Sequence, residues 1–490
     1  MHQIIQNDTR YVIEQNQSGR LENESRICGE IISKFLAVLP EITERDKEEW
    51  KIAKIIERHL RVLNVPETMK SSIEFVELML KGAKVNAEIN FNYEVVRKYL
   101  ILAQQALTLV DSDVKDSKKS KIVKFFDEFG KISYKIGLFK AARENFTEAL
   151  IMMKLVLPEK NADIARTLNN LGTTSGEIGD NKKAIEYHKQ ALDMYNSVLP
   201  EKQHPEIART LNYLGVAYNE IGDDNKAIKY YKEALEMRKS MLPEKHADIA
   251  ATLNNLGNAY LNIDDYNKSI EFYKAVVDMR KELLPAKHPD IAAILNNLGI
   301  AYNEIGDHNK AVAYYKEALD IKKAVLPEKH ADIARTLNNA GVAYKEIGDY
   351  KKAIEYHQKA LEIGKAVLPE NNAHIAGTLI NLGNAWKANG EINKAIEYYS
   401  DALEIYKVML PEKPAQIAGF YITLGNECKN NGEINKAIEY YSNALEICKA
   451  ILPRKQPNIA RTFSKSGDAF DALGDQDKAM QYYRNPSVII

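Results

Sequence analysis

Asparagine recurs along this chain at a fixed interval, and its side chain can both donate to and accept from a peptide backbone whatever that peptide's sequence. Counted from a glycine that beats through the chain, one set stands at −3: Asn169, Asn212, Asn254, Asn296 and Asn338. A second stands at −2: Asn170, Asn255, Asn297, Asn339 and Asn381. A third stands at +1: Asn258, Asn384 and Asn426. At +4 three successive units carry Lys345, Lys387 and Lys429, and Arg335 occupies −6 in the first of them. The +5 position is acidic in earlier units, with Glu177, Glu220, Glu304 and Glu346, and then turns to Ala388 and Asn430. These types suit reversible binding: amides for a backbone, and cations for acids spaced along it.

Other chemistries fail on their own spacing. Asp111, Asp113 and Asp116 begin like a calcium loop, but the sixth position holds Asp116 instead of glycine and the twelfth holds Ile122. His246, His288 and His330 come once per unit, too far apart to share a metal with bonds of about 2 Å, and read as helix caps or junction residues. Cys28, Cys428 and Cys448 form no C-x-x-C pair, and an odd count makes a poor disulfide framework. Cys428 falls in an aromatic core slot and reads as buried and inert. No nucleophile elbow, zinc-protease, Rossmann or P-loop motif occurs. The expectation is a chain without catalysis, cofactor or metal.

The elements that position these residues come from the period. Leu-Pro pairs end at Pro158, Pro200, Pro243, Pro285, Pro327, Pro369, Pro411 and Pro453, a step of 42 residues with one of 43. Gly130, Gly172, Gly215, Gly257, Gly299, Gly341, Gly383, Gly425 and Gly467 keep the same beat. Nine units therefore fill residues 119–484, and internal repetition decides the fold. Each unit reads as two helices. The first opens on an Asn or His cap, with Pro205 or Pro289 at the first helical position where a missing N–H is harmless. Most copies close on Gly-Asp turns such as Gly306-Asp307, whereas the fourth carries Asp264-Asp265, a less relaxed turn. The second helix runs to the Leu-Pro pair. Leu at −4 and −1, the glycine and an aromatic at +3, as in Leu253, Leu256, Gly257 and Tyr260, fall on one helix face. Alanines such as Ala227 and Ala234 let the second helix approach closely, and a Tyr or His between them fills the gap. One unit cannot bury such a face, but stacked neighbours can. The opposite stripe, at −6, −3, +1, +4 and +5 with −2 at its edge, holds the asparagines and lysines.

At 490 residues the chain is too long for one compact core. Its 45% hydrophobic and 28% charged residues are ordinary for a soluble protein. A formal net charge of −1 argues against a general nucleic-acid binder. No secretory signal opens the chain and no apolar run is long enough to span a bilayer, so the expectation is a cytoplasmic protein with no membrane partner.

The segment LGNAWKANGEINKAIEYYSDALEI, Leu382 to Ile405, closely resembles a tetratricopeptide repeat. The 42-residue step, with junctions such as LPEKHADIARTLNN from Leu326 to Asn339, is similar to the lengthened repeat of kinesin light chains and their bacterial relatives. The resemblance covers about three quarters of the chain. It implies an all-α fold, a right-handed α-solenoid superhelix of helix-turn-helix repeats, with first helices lining a concave groove. It also implies protein or peptide binding, with inward asparagines holding the peptide backbone. Residues 1–118 lack the heptads that precede kinesin light chain repeats, and no P-loop accompanies the array as in bacterial signalling relatives.

Residues 1–118 read as an N-terminal helical region outside the repeat, either a cap or an effector module, with candidate helices at 27–39, 46–63, 69–83 and 93–110. Residues 485–490 form a short apolar tail that could mediate self-association. The functional expectation is a scaffold that binds an extended segment, acidic where it meets the lysines, in the groove. A regulatory sensor acting through residues 1–118, and a repeat portion detached from a nucleotide-dependent signalling protein, are the alternatives.

Overall fold

The protein is described by a computed structural model covering residues 119–484, except position 202 and the stretches 410–413 and 452–456, together with scattered positions between 76 and 107. Eighteen helices lie among the described residues, in nine consecutive pairs. They fall into two compact units, divided after Met241.

The first unit holds α1 (Lys119–Lys135), α2 (Phe139–Val156), α3 (Ala162–Glu177), α4 (Asn181–Val198), α5 (Pro205–Glu220) and α6 (Asp224–Met241). The second begins with α7 (Ala247–Asn262), α8 (Tyr266–Leu283), α9 (Pro289–Glu304), α10 (His308–Val325), α11 (Ala331–Ile347) and α12 (Tyr350–Val367). It continues with α13 (Ala373–Ala388), α14 (Ile392–Met409), α15 (Pro414–Asn430), α16 (Ile434–Ile451), α17 (Pro457–Ala472) and α18 (Gln476–Arg484). Within each unit every helix packs on its neighbour in sequence, and first helices also meet the first helix of the next repeat, as α11 meets α13.

Each boundary has a local cause. The first helices open on Asn161, His204, His246, His288, His330 and Asn372, whose side chains accept the backbone N–H two residues on, at 2.7–3.2 Å. The histidines at helix starts are therefore caps. The turn glycines Gly306 and Gly348 take φ of +82° and +89°, which L side chains resist. The fourth repeat places Asp264 there at φ +61°, the one described non-glycine residue with positive φ. Aspartates such as Asp307 and Asp349 then cap the second helices. The Lys310 ammonium, aided by its backbone N–H, holds the Asp307 carboxyl below its usual range.

The beat glycine is a contact residue. In seven repeats it lies under a ring from the second helix of its own repeat: a Cβ at Gly257 would sit 2.5 Å from the Tyr273 ring, and one at Gly299 2.4 Å from Tyr315. His188 and His357 take this place over Gly172 and Gly341. Leu253, Leu256 and Tyr260 are buried as their spacing predicts. The paired rings divide the work: Tyr315 covers the glycine while Tyr314 stacks on Tyr302 at 5.3 Å. Cys428 is fully buried in its aromatic slot, and burial pushes its thiol up to about 11. Apolar clusters join successive repeats, as where Leu319, Ile333, Leu337 and Ala360 meet. Burial at about 25 cal/mol per Å² of apolar area thus accrues at junctions as well as inside repeats.

In the N-terminal region, positions 76, 79, 80 and 83 are helical and buried, as are 96, 100, 103 and 107. That is the spacing of amphipathic helices within two of the expected segments. Gln104 Nε2 donates to Asn145 Oδ1 at 3.0 Å. Positions 97 and 101 are helical and exposed; the remaining positions of 1–118, including the aspartates at 111–116 and the other two expected helices, lie outside the described residues, as does the 485–490 tail.

Candidate functional site

The site residues expected from the sequence lie in the second unit, on α7, α9, α11, α13 and α15. The structure shows how much of their bonding capacity is engaged within the chain. At the edge of the stripe, three of the −2 amides reach back one repeat. Asn339 Nδ2 donates to Asn296 Oδ1 and Asn381 Nδ2 to Asn338 Oδ1, both at 3.3 Å, and Asn297 Nδ2 approaches Asn258 Oδ1 at 3.4 Å. Asn338 Oδ1 also lies 2.9 Å from His357 Nδ1. The +1 asparagines turn to the ring that covers their glycine. Tyr273, Tyr399 and Tyr441 hydroxyls donate to Asn258, Asn384 and Asn426 at 2.5, 2.7 and 2.9 Å. Asn254 Oδ1 is buried and accepts no hydrogen bond. These asparagines thus tie first helix to first helix and first helix to second.

The lysines also have partners. Lys387 Nζ lies 2.8 Å from Glu427 Oε1 in the next repeat, and Lys345 Nζ lies 2.8 Å from Glu346 Oε1. Lys429 and Lys465 both stand 3.9 Å from Asp468 Oδ2. Arg335 pairs with Asp332 at 2.6 Å and remains exposed. Sequence reading missed Glu427 and Asp468. They occupy the +2 and +1 positions of later repeats, and only the stacking of repeats brings them to the lysines.

The structure also adds a recess that the pattern did not suggest. A cavity of about 560 Å³ lies among α9, α10, α11, α12 and α13. Its polar lining includes Asn296, Asn338, Asn339 and Arg335 from the expected set. To these it adds Lys322, His374 and Thr378, and an apolar wall of Leu361, Leu368 and Ile375 around Gly364. The Lys322 side chain is buried and donates to Asp332 O at 3.2 Å and Thr336 Oγ1 at 2.8 Å. Burial lowers its ammonium to about 8, with Asp332 opposing that shift and Arg335 adding to it. Burial, and then the charge of Lys345, lower His357 to about 4, so the imidazole behind Asn338 is neutral at pH 7. The expected residues toward the end of the stripe, Lys387, Asn384, Asn426 and Lys429, do not line this cavity.

Among the described residues no group of three or more His, Cys, Asp or Glu side chains could hold a metal ion. No described helix is long and apolar enough to cross a membrane. The arrangement offers amides, a guanidinium, a buried ammonium and an aliphatic recess, which is binding chemistry.

A search of curated proteins returned no match. Among solved structures, BtubC from P. vanneervenii is 19% identical over 51% of this chain and 92% of its own, with a TM-score of 0.39. A Podosopora anserina protein of kinesin light chain type, with nearly identical TPR-like repeats, is 22% identical over 42% of this chain and 98% of its own, with a TM-score of 0.38. The apo quorum sensor NprR from B. thuringiensis is 17% identical over 77% of this chain and 99% of its own, with a TM-score of 0.47. The model of the tetratricopeptide repeat family matches residues 128–197, 196–240, 248–324, 332–408 and 416–484. Those matches begin within α1 and run to the end of α18, and the chain belongs to the tetratricopeptide repeat family.

Proposed function

We propose that this chain is a non-catalytic protein-interaction scaffold that holds an extended segment of a partner protein along the first helices of its second unit. The observation that carries this reading is the recess among α9, α11 and α13. There four of the expected residues, Asn296, Asn338, Asn339 and Arg335, converge on one cavity. Its volume lies in the range of about 300–1,000 Å³ common for ligand sites. Amide groups that already fix one helix to the next are held in place, and ordering them for a ligand carries little further entropy loss. The family match points to no enzymatic family.

The segment bound is acidic where it passes Arg335, and the stripe beyond continues through Asn381, Lys345, Asn384, Lys387, Asn426 and Lys429. Lys387 and Lys429 pair with carboxylates of the next repeat, whereas Arg335 and Lys345 pair with exposed carboxylates of their own helix. Exposed pairs are weak, so Arg335 and Lys345 exchange partners most readily and contribute most of the charge selectivity. The test is affinity capture from native lysate with wild type and the Arg335→Glu, Lys345→Glu double variant. A partner held by wild type and released by a folded variant supports the reading. A partner held equally by both moves the site off these helices.

A further inference from the structure

The sixth junction between repeats lacks a side chain that the other junctions have. One slot in the last turn of each second helix is occupied by Met153, Tyr195, Arg280, Lys322, Gly364 and Tyr406 in successive described junctions within the two units. Outside Gly364 the slot always reaches toward the next first helix. Met153 Sδ accepts from Thr167 Oγ1 at 3.4 Å, and the Tyr195 hydroxyl donates to Glu206 at 3.2 Å. Arg280 pairs with Asp290, Lys322 bonds Thr336, and Tyr406 stacks on Phe420 at 4.5 Å. At Gly364 nothing reaches across.

The facing residue changes with it. The first turn opposite this slot carries Asp163, Glu206, Asp290 and Asp332, but His374 at this junction and Gln416 at the next. Only here, among these junctions, are the slot side chain and the acidic residue opposite both absent. Gly364 sits inside α12 with an ordinary helical backbone, so no turn requires glycine, and glycine is unfavourable in a helix interior. A Cβ there would meet only Ile375 Cγ1, at 3.7 Å. The missing side chain leaves part of the cavity described above, walled by Leu361, Leu368 and Ile375. No aromatic ring lines that wall apart from the His374 imidazole. The charged groups on the cavity are Lys322 and Arg335 against the single carboxylate Asp332, an excess of positive charge.

We propose that the sixth junction is a side-chain pocket for the partner. An aliphatic side chain of about leucine or methionine size enters the space beside Gly364, and a carboxylate one or two residues away in the same peptide pairs with Arg335. The ligand thereby supplies in trans the strut that the chain omits. This rests on the peptide-binding reading above and names its anchor.

The probe is an immobilised positional library of octapeptides, acetylated and amidated at their ends so that only side chains bear charge, read with the labelled full-length chain. Wild type should select an aliphatic residue at one position with Asp or Glu within two residues of it. Gly364→Tyr fills the slot as Tyr406 does in the next repeat, and should weaken the selected peptides about tenfold or more, the scale of one buried aliphatic side chain. Gly364→Ala should leave them bound. Arg335→Glu, at an exposed position, should reverse the acidic preference and keep the aliphatic one, which tests the proposal even if Gly364→Tyr fails to fold. Retention of the aliphatic preference by a folded Gly364→Tyr variant overturns the pocket and leaves peptide binding standing. Selection of no peptide by wild type overturns both.

Discussion

Gly299 and Gly377 are both helical glycines, yet they have opposite surroundings. A methyl at Gly299 would sit 2.4 Å from the Tyr315 ring, whereas Gly377 has nothing within 4 Å of its Cβ position. Gly299→Ala should therefore lower stability by about 2 kcal/mol through overpacking. Gly377→Ala should raise it by about 0.5–1 kcal/mol through helix propensity. Urea titrations followed by circular dichroism read both. The two buried imidazoles supply a pH test. Burial lowers His188 to about 3, and burial with Lys345 lowers His357 to about 4, from an ordinary 6.5. The unfolded chain takes up these protons first as pH falls. Their contribution is complete above about pH 6.5 and is lost below it, with a limiting slope of about 1.4 kcal/mol per pH unit for each. The His188→Tyr, His357→Tyr double variant, which installs the ring found in sister repeats, should show a shallower loss of stability between pH 6.5 and 4. An unchanged slope would remove these histidines from the account. The beat glycines were legible because a repeated residue type marks a repeated contact. The identity of the covering ring was legible too, since a Tyr or His stands four residues after the first small residue of every second helix from α4 to α14.

Caps and turns carry the next level, and these also stood in the sequence, because a cap bonds to backbone only two or three residues away. Asp264 is the informative exception. It takes a left-handed backbone conformation where Gly306 and Gly348 take it without a Cβ, and its carboxylate accepts from the Tyr266 hydroxyl at 2.7 Å. That one exposed hydrogen bond offsets only part of a backbone penalty of about 1–2 kcal/mol. Asp264→Gly should raise the unfolding free energy by about 1 kcal/mol, and an equal or lower value would show that the local bond matters more than the conformation. What was not legible at this level is pairing across the 42-residue step. The period says that Lys387 and Glu427 each face a neighbour, but not that their neighbours are each other, because that depends on the stagger of α13 against α15. The pocket was hidden for a related reason. Gly364 is conspicuous only beside Lys322 and Tyr406 in register, and what it leaves open is shaped by three other helices.

At the scale of the molecule, each unit has its own apolar clusters. In the second, Leu319, Ile333, Leu337 and Ala360 form one, and Ile375, Leu379 and Ala402 another, with all members inside the unit. A fragment of residues 242–490 should accordingly keep its helical circular dichroism and unfold in its own transition. A fragment that is unfolded at 25 °C would show that the unit depends on the preceding residues. The all-α class and the helical-repeat solenoid were plain from composition and period, since stacking repeats is the way such half-apolar helices can be covered. The proposed surface stood in the sequence as a stripe of residue types, and the cavity beside part of it did not.

The amide bonds between first helices have a direction. Asn381 donates backward to Asn338, as Asn339 does to Asn296, so each of these repeats presents a donor to the repeat before it and the copy at position 338 also presents an acceptor to the repeat after it. A block that carries both plug and socket can be duplicated or excised in whole steps of its period, and the new seam finds its polar bond already matched. Growth and shrinkage of the array by gene duplication then meets no orphaned amide at the joint, whereas a cut out of step separates plug from socket. The same bond that holds these neighbouring helices thereby favours whole-period changes in this stretch of the array.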